Sequence, residues 1–352
     1  MRRWGHKWGA ARVVGGAAIF CVLRVACSDM AFADTAAGVT SIFAPLSTPA
    51  EEIYENGVLV LAICAGIFLA VGGFLLYTLI RYRQRADDDG REPPQVYGSN
   101  QIELAWTVIP IVIVFVLILV TTRTIVNVQG AARPSSALNV TVVGHQWWWE
   151  IRYPDFGVVT ANELHVPLSD PREPRPTFLT LESADVAHSF WVPQLAGKTD
   201  VIPNRRNLMW IEPKQPGVYV GNCAEYCGVQ HAHMLLRVVV QPVEAFAQWI
   251  QAQQRPPREE EQTQAGRRVF FSTACINCHT INGTQATGTF GPNLTHLMSR
   301  HTLAAGVVTN TPEHLYAWVR DPQVTKEGSL MPNMQLTAEE LDQIVAYLLT
   351  LK

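Results

Sequence analysis

At 352 residues and a formal net charge of −3, the chain is too nearly neutral for nucleic-acid binding or strong electrostatic capture of a partner. Its length allows two or three domains. Only 16% of the residues are charged, and long uncharged stretches make a membrane anchor the first class to test.

Arg2, Arg3, Lys7 and Arg12 precede an apolar run over 13–23, and Ala31-Phe32-Ala33 offers a small-residue cleavage site. Residues 1–33 therefore read as a secretory signal and 34–56 as a short exported segment. Residues 57–80 then run without a charge, enough for roughly 36 Å of helix against a hydrocarbon core of about 30 Å. A second uncharged run covers 104–122, where Pro110 is tolerable because neighbouring helices can satisfy the freed carbonyl. Neither run has the polar face of a soluble helix. Arg81, Arg83 and Arg85, in the 81–103 loop, mark the cytoplasmic side, so everything beyond the second span is expected outside. Glu103 stands just ahead of that span. An acid there is favoured by the helix macrodipole, yet an ionisable group at the mouth of a span is also a functional candidate.

Over 130–242 the pattern changes to short β-branched or aromatic runs at 139–143, 177–181, 207–211, 218–220 and 235–240, separated by Pro, Gly and Asn turns. Such punctuation predicts an all-β sandwich or barrel. Residues 243–262 read as a linker, since 251–264 (QAQQRPPREEEQTQ) has nothing apolar beyond Ala and Pro. Residues 263–352 read as an all-α domain. Helical stretches are predicted at 264–272, 312–320 and 338–351, the last introduced by Thr337 with Glu340 three residues on, a capping box. A domain this small needs a staple, which a covalently attached cofactor would supply.

Of seven cysteines, Cys21 and Cys27 lie in the signal and Cys64 in the first span; the remaining four form two clusters. Cys223, Cys227, His231 and Met234 fall within CAEYCGVQHAHM, and thiolate, imidazole and thioether together suit copper. Two cysteines can bridge two metals, each then needing a terminal histidine and a weak axial group. His188, in Asp185-Val-Ala-His188, is the best placed source of the missing imidazole. The competing reading is a structural Cys2His2 zinc site, to which Met234 would be useless. The second cluster, Cys275-Ile-Asn-Cys278-His279, allows two thioether links to haem and a proximal imidazole. Met331 or Met334 could supply the sixth ligand; Met331, followed by Pro332, resembles the ligand loop of class I cytochromes c and is preferred on that resemblance.

Gly144-His-Gln-Trp147-Trp-Trp149, His188-Ser-Phe-Trp-Val-Pro, Gly197-Lys-Thr-Asp200 and the Cys223–Met234 motif together resemble subunit II of haem–copper cytochrome c oxidase. With the cytochrome-like segment behind them, they resemble the fused subunit of caa3-type oxidases. The resemblance implies a transmembrane hairpin, a cupredoxin-like domain and a class I cytochrome c domain. It implies that His188, Cys223, Glu225 (through its carbonyl), Cys227, His231 and Met234 hold a dinuclear copper A centre, and that the Glu225 side chain reaches a magnesium or manganese ion. Trp147 matches the family's point of electron input, although a buried sandwich tryptophan explains it equally well from the sequence. Trp148 stands where tyrosine is usual. Cys275, Cys278, His279 and Met331 would hold haem c, with Pro292 orienting His279. Glu103 resembles a glutamate at a proton-channel entrance. The implied function is electron transfer from an external cytochrome c or similar donor to subunit I, which reduces oxygen, with subunit III and membrane lipid as further neighbours. The implied setting is the bacterial inner membrane, with both termini outside. A membrane-tethered copper-binding protein, the rival class, would need neither CxxCH nor the tryptophan triplet.

Overall fold

The computed structural model describes residues 40–84, 90, 92, 94–95, 97–170, 172–257 and 260–352. The expected signal and residues 34–39 lie outside the described residues. Two long helices open the fold, α1 (Thr48–Arg81) and α2 (Asn100–Gln129). Both run past the uncharged stretches, because the flanking turns are good helix formers with an acid near each start, Glu51 and Glu103. They pack against each other and bury almost nothing else, as apolar helices that face lipid do.

The β domain stands on the end of this hairpin. Trp210 Nε1 donates to the Val128 carbonyl at 2.6 Å. Ser47 Oγ accepts from Glu212 N at 2.9 Å, and the Glu212 carboxylate accepts from Thr48 Oγ1 at 2.5 Å. Ten strands follow: β1 (Leu138–His145), β2 (Trp148–Tyr153), β3 (Val158–Ala161), β4 (Glu163–Pro167), β5 (Thr177–Ser183), β6 (His188–Trp191), β7 (Thr199–Val201), β8 (Asn207–Ile211), β9 (Gly217–Cys223) and β10 (Leu235–Gln241). They form two five-stranded sheets, β3-β2-β1-β5-β8 and β4-β10-β9-β6-β7. Two pairings are parallel, β1 with β5 and β4 with β10; the rest are antiparallel. The inward residues of both sheets, among them Trp149, Ile151, Leu164, Leu179, Leu181 and Leu236, fill one core.

The linker expected over 243–262 is corrected. Residues Val243–Gln253 form a helix, α3, whose Phe246 and Ile250 join the β-domain core. Trp249 stacks on His165 with ring centroids 4.1 Å apart. Phe246, Trp249 and Ile250 carry the 3,4-spacing of an amphipathic helix; the polar residues that follow obscured it.

The helical domain is built from α4 (Gln264–Ser272), α5 (Cys275–Cys278), α6 (Pro312–Arg320), α7 (Pro322–Thr325) and α8 (Ala338–Leu348) around a second core. The Thr337–Glu340 capping box is present and starts α8 as predicted. Helices α4 and α8 cross so closely at Gly266 that a Cβ there would lie 1.8 Å from the Gln343 carbonyl oxygen. Gly266→Val is expected to cost about 3 kcal/mol, an overpacking penalty at the crossing. The thermal midpoint followed by far-ultraviolet circular dichroism measures it, and an unchanged midpoint would show that the helices part freely.

Candidate metal centre and the adjoining cavity

Strand β9 ends at Cys223 and β10 begins at Leu235, so the intervening loop is pinned at both ends by their antiparallel register. The Cys223 N–H donates to the Met234 carbonyl at 3.0 Å and closes the loop. Strand β6, next to β9, presents His188 from the side. The two cysteine sulfurs lie 3.8 Å apart. His188 Nδ1 is 3.9 Å from Cys223 Sγ, and His231 Nδ1 is 3.6 Å from Cys227 Sγ. Met234 Sδ is 3.9 Å from Cys227 Sγ, and the Glu225 carbonyl oxygen 3.2 Å from Cys223 Sγ. Cys223, Cys227, Met234 and His188 are buried.

These spacings match ligands that share a metal, since sulfur and nitrogen at about 2.3 and 2.0 Å from one ion lie roughly 3.6 Å apart at a tetrahedral angle. The ligand atoms of His188, Cys223 and Cys227 all fall within 4.8 Å of one another, a group that does not include His231. Each sulfur has its own imidazole on its own side, with a thioether near one and a carbonyl near the other. That arrangement fits two coppers sharing the sulfurs better than one tetrahedral zinc.

The surroundings orient these groups. His188 Nε2–H donates to Asp185 at 2.8 Å, which fixes the tautomer that leaves Nδ1 facing Cys223. Asp185 also accepts from Gln146 N at 2.6 Å, tying His188 to the tryptophan loop. Burial opposes charge on His188, but Asp185 and Cys223 outweigh it and raise its pKa. Cys227 holds the Cys223 thiol well below its ordinary range, against burial and with His188 assisting. Cys223 and burial in turn push Cys227 up, so the metal-free pair shares one proton. The Glu225 carboxylate points away, half-exposed and 3.7 Å from Lys198 Nζ.

An open, mostly apolar cleft, about 1190 Å³ counting the solvent space at its mouth, occupies the helical domain, lined by Cys275, Cys278, His279 and Met331 among others. Helix α5 is a single turn, so its two cysteines share one face, and His279 ends it. His279 Nδ1–H donates to the Pro292 carbonyl at 2.8 Å, leaving Nε2 for a metal. Burial lowers the His279 pKa, partly offset by Pro292, which keeps the ring neutral and ligand-ready. At Gly291 a Cβ would lie 2.7 Å from that ring, so only glycine permits its position. Met331 lines the cavity and Met334 does not. The residues and the space fit a covalently attached haem.

Nothing in the sequence signals that the cavity abuts the metal centre. Trp147 and Trp148 line its wall. Trp147 is 8% exposed, and its indole Nε1–H donates to the Cys227 carbonyl at 3.0 Å, so one side chain touches both sites. Lys326, of the helical domain, also lines the cavity and donates to the Trp147 carbonyl at 2.8 Å. Burial pulls its ammonium down to about 7, with Cys227 opposing. Lys326 sits in a Thr-Lys-Glu-Gly run that reads as a surface turn, so no sequence signal singled it out. Asp185 could have been found, as a carboxylate three residues before a ligand-like histidine.

Buried thiols paired with imidazoles, one tryptophan away from a cavity shaped by CxxCH, define a membrane-anchored electron-transfer protein. Comparison with known proteins agrees. Residues 39–123 match the transmembrane domain of cytochrome c oxidase subunit II, 171–243 its periplasmic domain, and 263–352 cytochrome c. Cytochrome c oxidase subunit 2 of Alkalihalophilus pseudofirmus is 34% identical over 88% of this chain and 90% of its own length. That of Bacillus sp. strain PS3 is 32% identical over 77% and 80%. The periplasmic domain of subunit II of cytochrome oxidase from Bradyrhizobium japonicum is 29% identical, covers 34% of this chain and 95% of its own, and superposes with a TM-score of 0.32. The chain belongs to the cytochrome c oxidase subunit II family, in the form that carries a C-terminal cytochrome c domain. Copper A and haem c are the cofactors these domains imply, and subunit I of the oxidase is the implied partner.

Proposed function

We propose that this subunit takes single electrons from an external donor at haem c and delivers them, by way of copper A, to subunit I, where oxygen is reduced to water and protons are pumped. Cys275 and Cys278 would hold the haem covalently, and His279 and Met331 would ligate its iron. His188, Cys223, Cys227, His231, Met234 and the Glu225 carbonyl hold the copper pair. When bound, both groups supply one-electron chemistry at sites shielded from water. The chain's own residues do the rest. Asp185 and Pro292 keep the ligating imidazoles in one tautomer and one orientation. The rigid β9–β10 frame lets the metal ligands move little between redox states. Trp147 is the electron input to the copper loop, and it carries the reading: its N–H reaches the Cys227 carbonyl while its ring lines the haem cavity.

The proposal extends to neighbours. The half-exposed Glu225 carboxylate, paired with Lys198 at 3.7 Å, would turn towards subunit I to share a magnesium or manganese ion with it. The complex includes subunit III and takes electrons from a cytochrome c or similar donor. It lies in the bacterial inner membrane, with both termini and both cofactor domains on the outer face.

The test is to purify the membrane complex and record visible and electron paramagnetic resonance spectra together. Covalent haem c, a mixed-valence copper pair and a-type haem are expected in one preparation. A copper-replete complex without the mixed-valence signal would sink the proposal.

Glu103 lies in the first turn of α2, where its charge favours the helix start. The proposal gives it a second role, delivering protons to subunit I from the cytoplasmic side. Glu103→Gln is then expected to slow proton-coupled reduction of the oxygen site by roughly a hundredfold, the low end of general acid–base contributions. Haem c to copper A transfer stays normal. Stopped-flow absorbance separates the two steps, and full turnover in an assembled variant leaves Glu103 with the helix-end role alone.

A further inference from the structure

The cytochrome domain follows the β domain through a segment that looked like a flexible tether, yet it is seated on that domain by groups that charge makes demanding. Lys326 Nζ donates to three carbonyls, Trp147 and His233 at 2.8 Å in the β domain and Ala304 at 3.2 Å in its own. Lys326 is only 4% exposed. From the opposite side Glu163, on β4 and 1% exposed, accepts from backbone N–H groups of the helical domain. Its Oε1 takes His301 N at 2.8 Å, Thr302 N at 2.9 Å and Thr302 Oγ1 at 3.1 Å, and its Oε2 takes His301 N at 3.0 Å.

Between these anchors the fit is close. Leu235 N donates to the Ala305 carbonyl at 3.1 Å, in the manner of an added strand. Trp148, Ala161 and Ala305 form a small apolar cluster across the boundary. Arg300 Nε approaches Thr160 Oγ1 at 3.4 Å.

A buried ammonium or carboxylate tolerates little slippage. Only one register gives Lys326 three acceptors and Glu163 its donors at once, and a shifted dock would leave a desolvated charge unpaired. Such pairs give specificity of position more than raw stability. The position they specify sets the cavity wall against Trp147, whose carbonyl Lys326 holds and whose indole reaches Cys227.

We propose that Lys326 and Glu163 form a two-point latch that fixes the cytochrome domain in one register on the β domain, so that electrons pass between the two cofactors within a rigid assembly. Lys326 and Glu163 are positioning residues that act through Trp147 and the domain boundary. The latch rests on the functional reading above, since it needs a redox group on each side of Trp147.

The experiment uses the purified oxidase complex. Haem c is reduced by a flash through an external photosensitiser, and copper A is followed in the near infrared as solvent viscosity is raised with sucrose. The native complex is expected to show one kinetic phase whose rate ignores viscosity. Lys326→Met and Glu163→Gln are expected to slow that phase roughly tenfold or more, the scale set by losing a charged hydrogen bond, and to make it viscosity-dependent. Hydrogen exchange provides a readout independent of electron flow. The His301 and Thr302 amides, which contact Glu163, should lose protection in Lys326→Met even though Lys326 does not touch them.

A viscosity-dependent rate in the native complex overturns the latch. So does a Lys326→Met complex with native rate and native exchange. If Lys326→Met does not accumulate, Glu163→Gln and the native viscosity series decide. A native complex without the mixed-valence copper signal sinks the functional reading instead, and exchange at His301 and Thr302 then decides the latch alone.

Discussion

Cys223→Ser is expected to abolish the mixed-valence copper signal outright while leaving covalent haem c at its native amount. Cys223 Sγ is the atom around which the metal centre is arranged, 3.8 Å from Cys227 Sγ, 3.9 Å from His188 Nδ1 and 3.2 Å from the Glu225 carbonyl. A serine oxygen is a hard donor on a shorter bond, and it cannot bridge two soft metals. The substitution leaves a small, buried, hydrogen-bonding side chain where the thiol was, so the β frame should still form. The two cofactor domains have separate cores, one including Cys223 and Cys227 and the other Cys275, which is why haem attachment should survive. Electron paramagnetic resonance reads the copper, and the alkaline pyridine spectrum reads the haem. A normal dinuclear signal in Cys223→Ser would falsify the ligand assignment.

Met331→Ala is expected to remove the absorption band of low-spin, methionine-ligated haem near the red end of the visible spectrum, and to slow reduction of copper A by more than tenfold. Loss of the soft thioether lowers the haem potential, so the external donor reduces the haem less readily and fewer electrons reach copper A, and it opens the sixth position to water or a foreign ligand. Met334→Ala should leave the band in place, because Met331 lines the cavity and Met334 lies outside its lining. The reverse pattern, with the band lost in Met334→Ala alone, would move the axial ligand three residues along. Neither variant should disturb the copper signal, since the Met331 carbonyl is held by Gln323 of the helical domain and neither substitution changes a residue of the 223–234 loop.

What was legible in the sequence divides along physical lines. Local patterns read well. Helices α4 and α6 fall on the predicted 264–272 and 312–320, and the capping box of α8 is formed by the two residues that announced it. Short-range proximity was legible as well: Cys223, Cys227, His231 and Met234 lie close together because one loop holds them. His188 was legible only as a candidate, and the β6–β9 pairing of Phe190 with Cys223 is the long-range fact that brings it in.

Strands β2, β3, β4, β6 and β7 were not picked out, since runs such as Glu163–Pro167 carry little alternation when both faces are covered. The linker was misjudged because Phe246, Trp249 and Ile250 lie just ahead of a polar stretch that dominates the window. Least legible was the domain boundary. Lys326 and Glu163 look like ordinary surface charges in sequence, and only the folded chain shows them buried against backbone 179 and 138 or 139 residues away.

The two parallel pairings bear on how the chain comes into being. Strand β4 at 163–167 has no partner in its sheet until β10 at 237–241 has been synthesised, and β1, which pairs early with β2, still waits for β5 on its other edge. Such closures are slow, because the entropy of a long loop is lost before any ladder bond forms. The copper-ligand loop ends at the doorstep of β10, so its ligands converge only at this last step. The CxxCH segment leaves the ribosome later still, more than thirty residues behind Gln241. Vectorial synthesis therefore completes the metal-binding frame before the haem-binding domain exists to cover Trp147 and the 228–233 segment. Birth order, N-terminal to C-terminal, leaves an interval in which the copper loop is whole and its later cover is still absent.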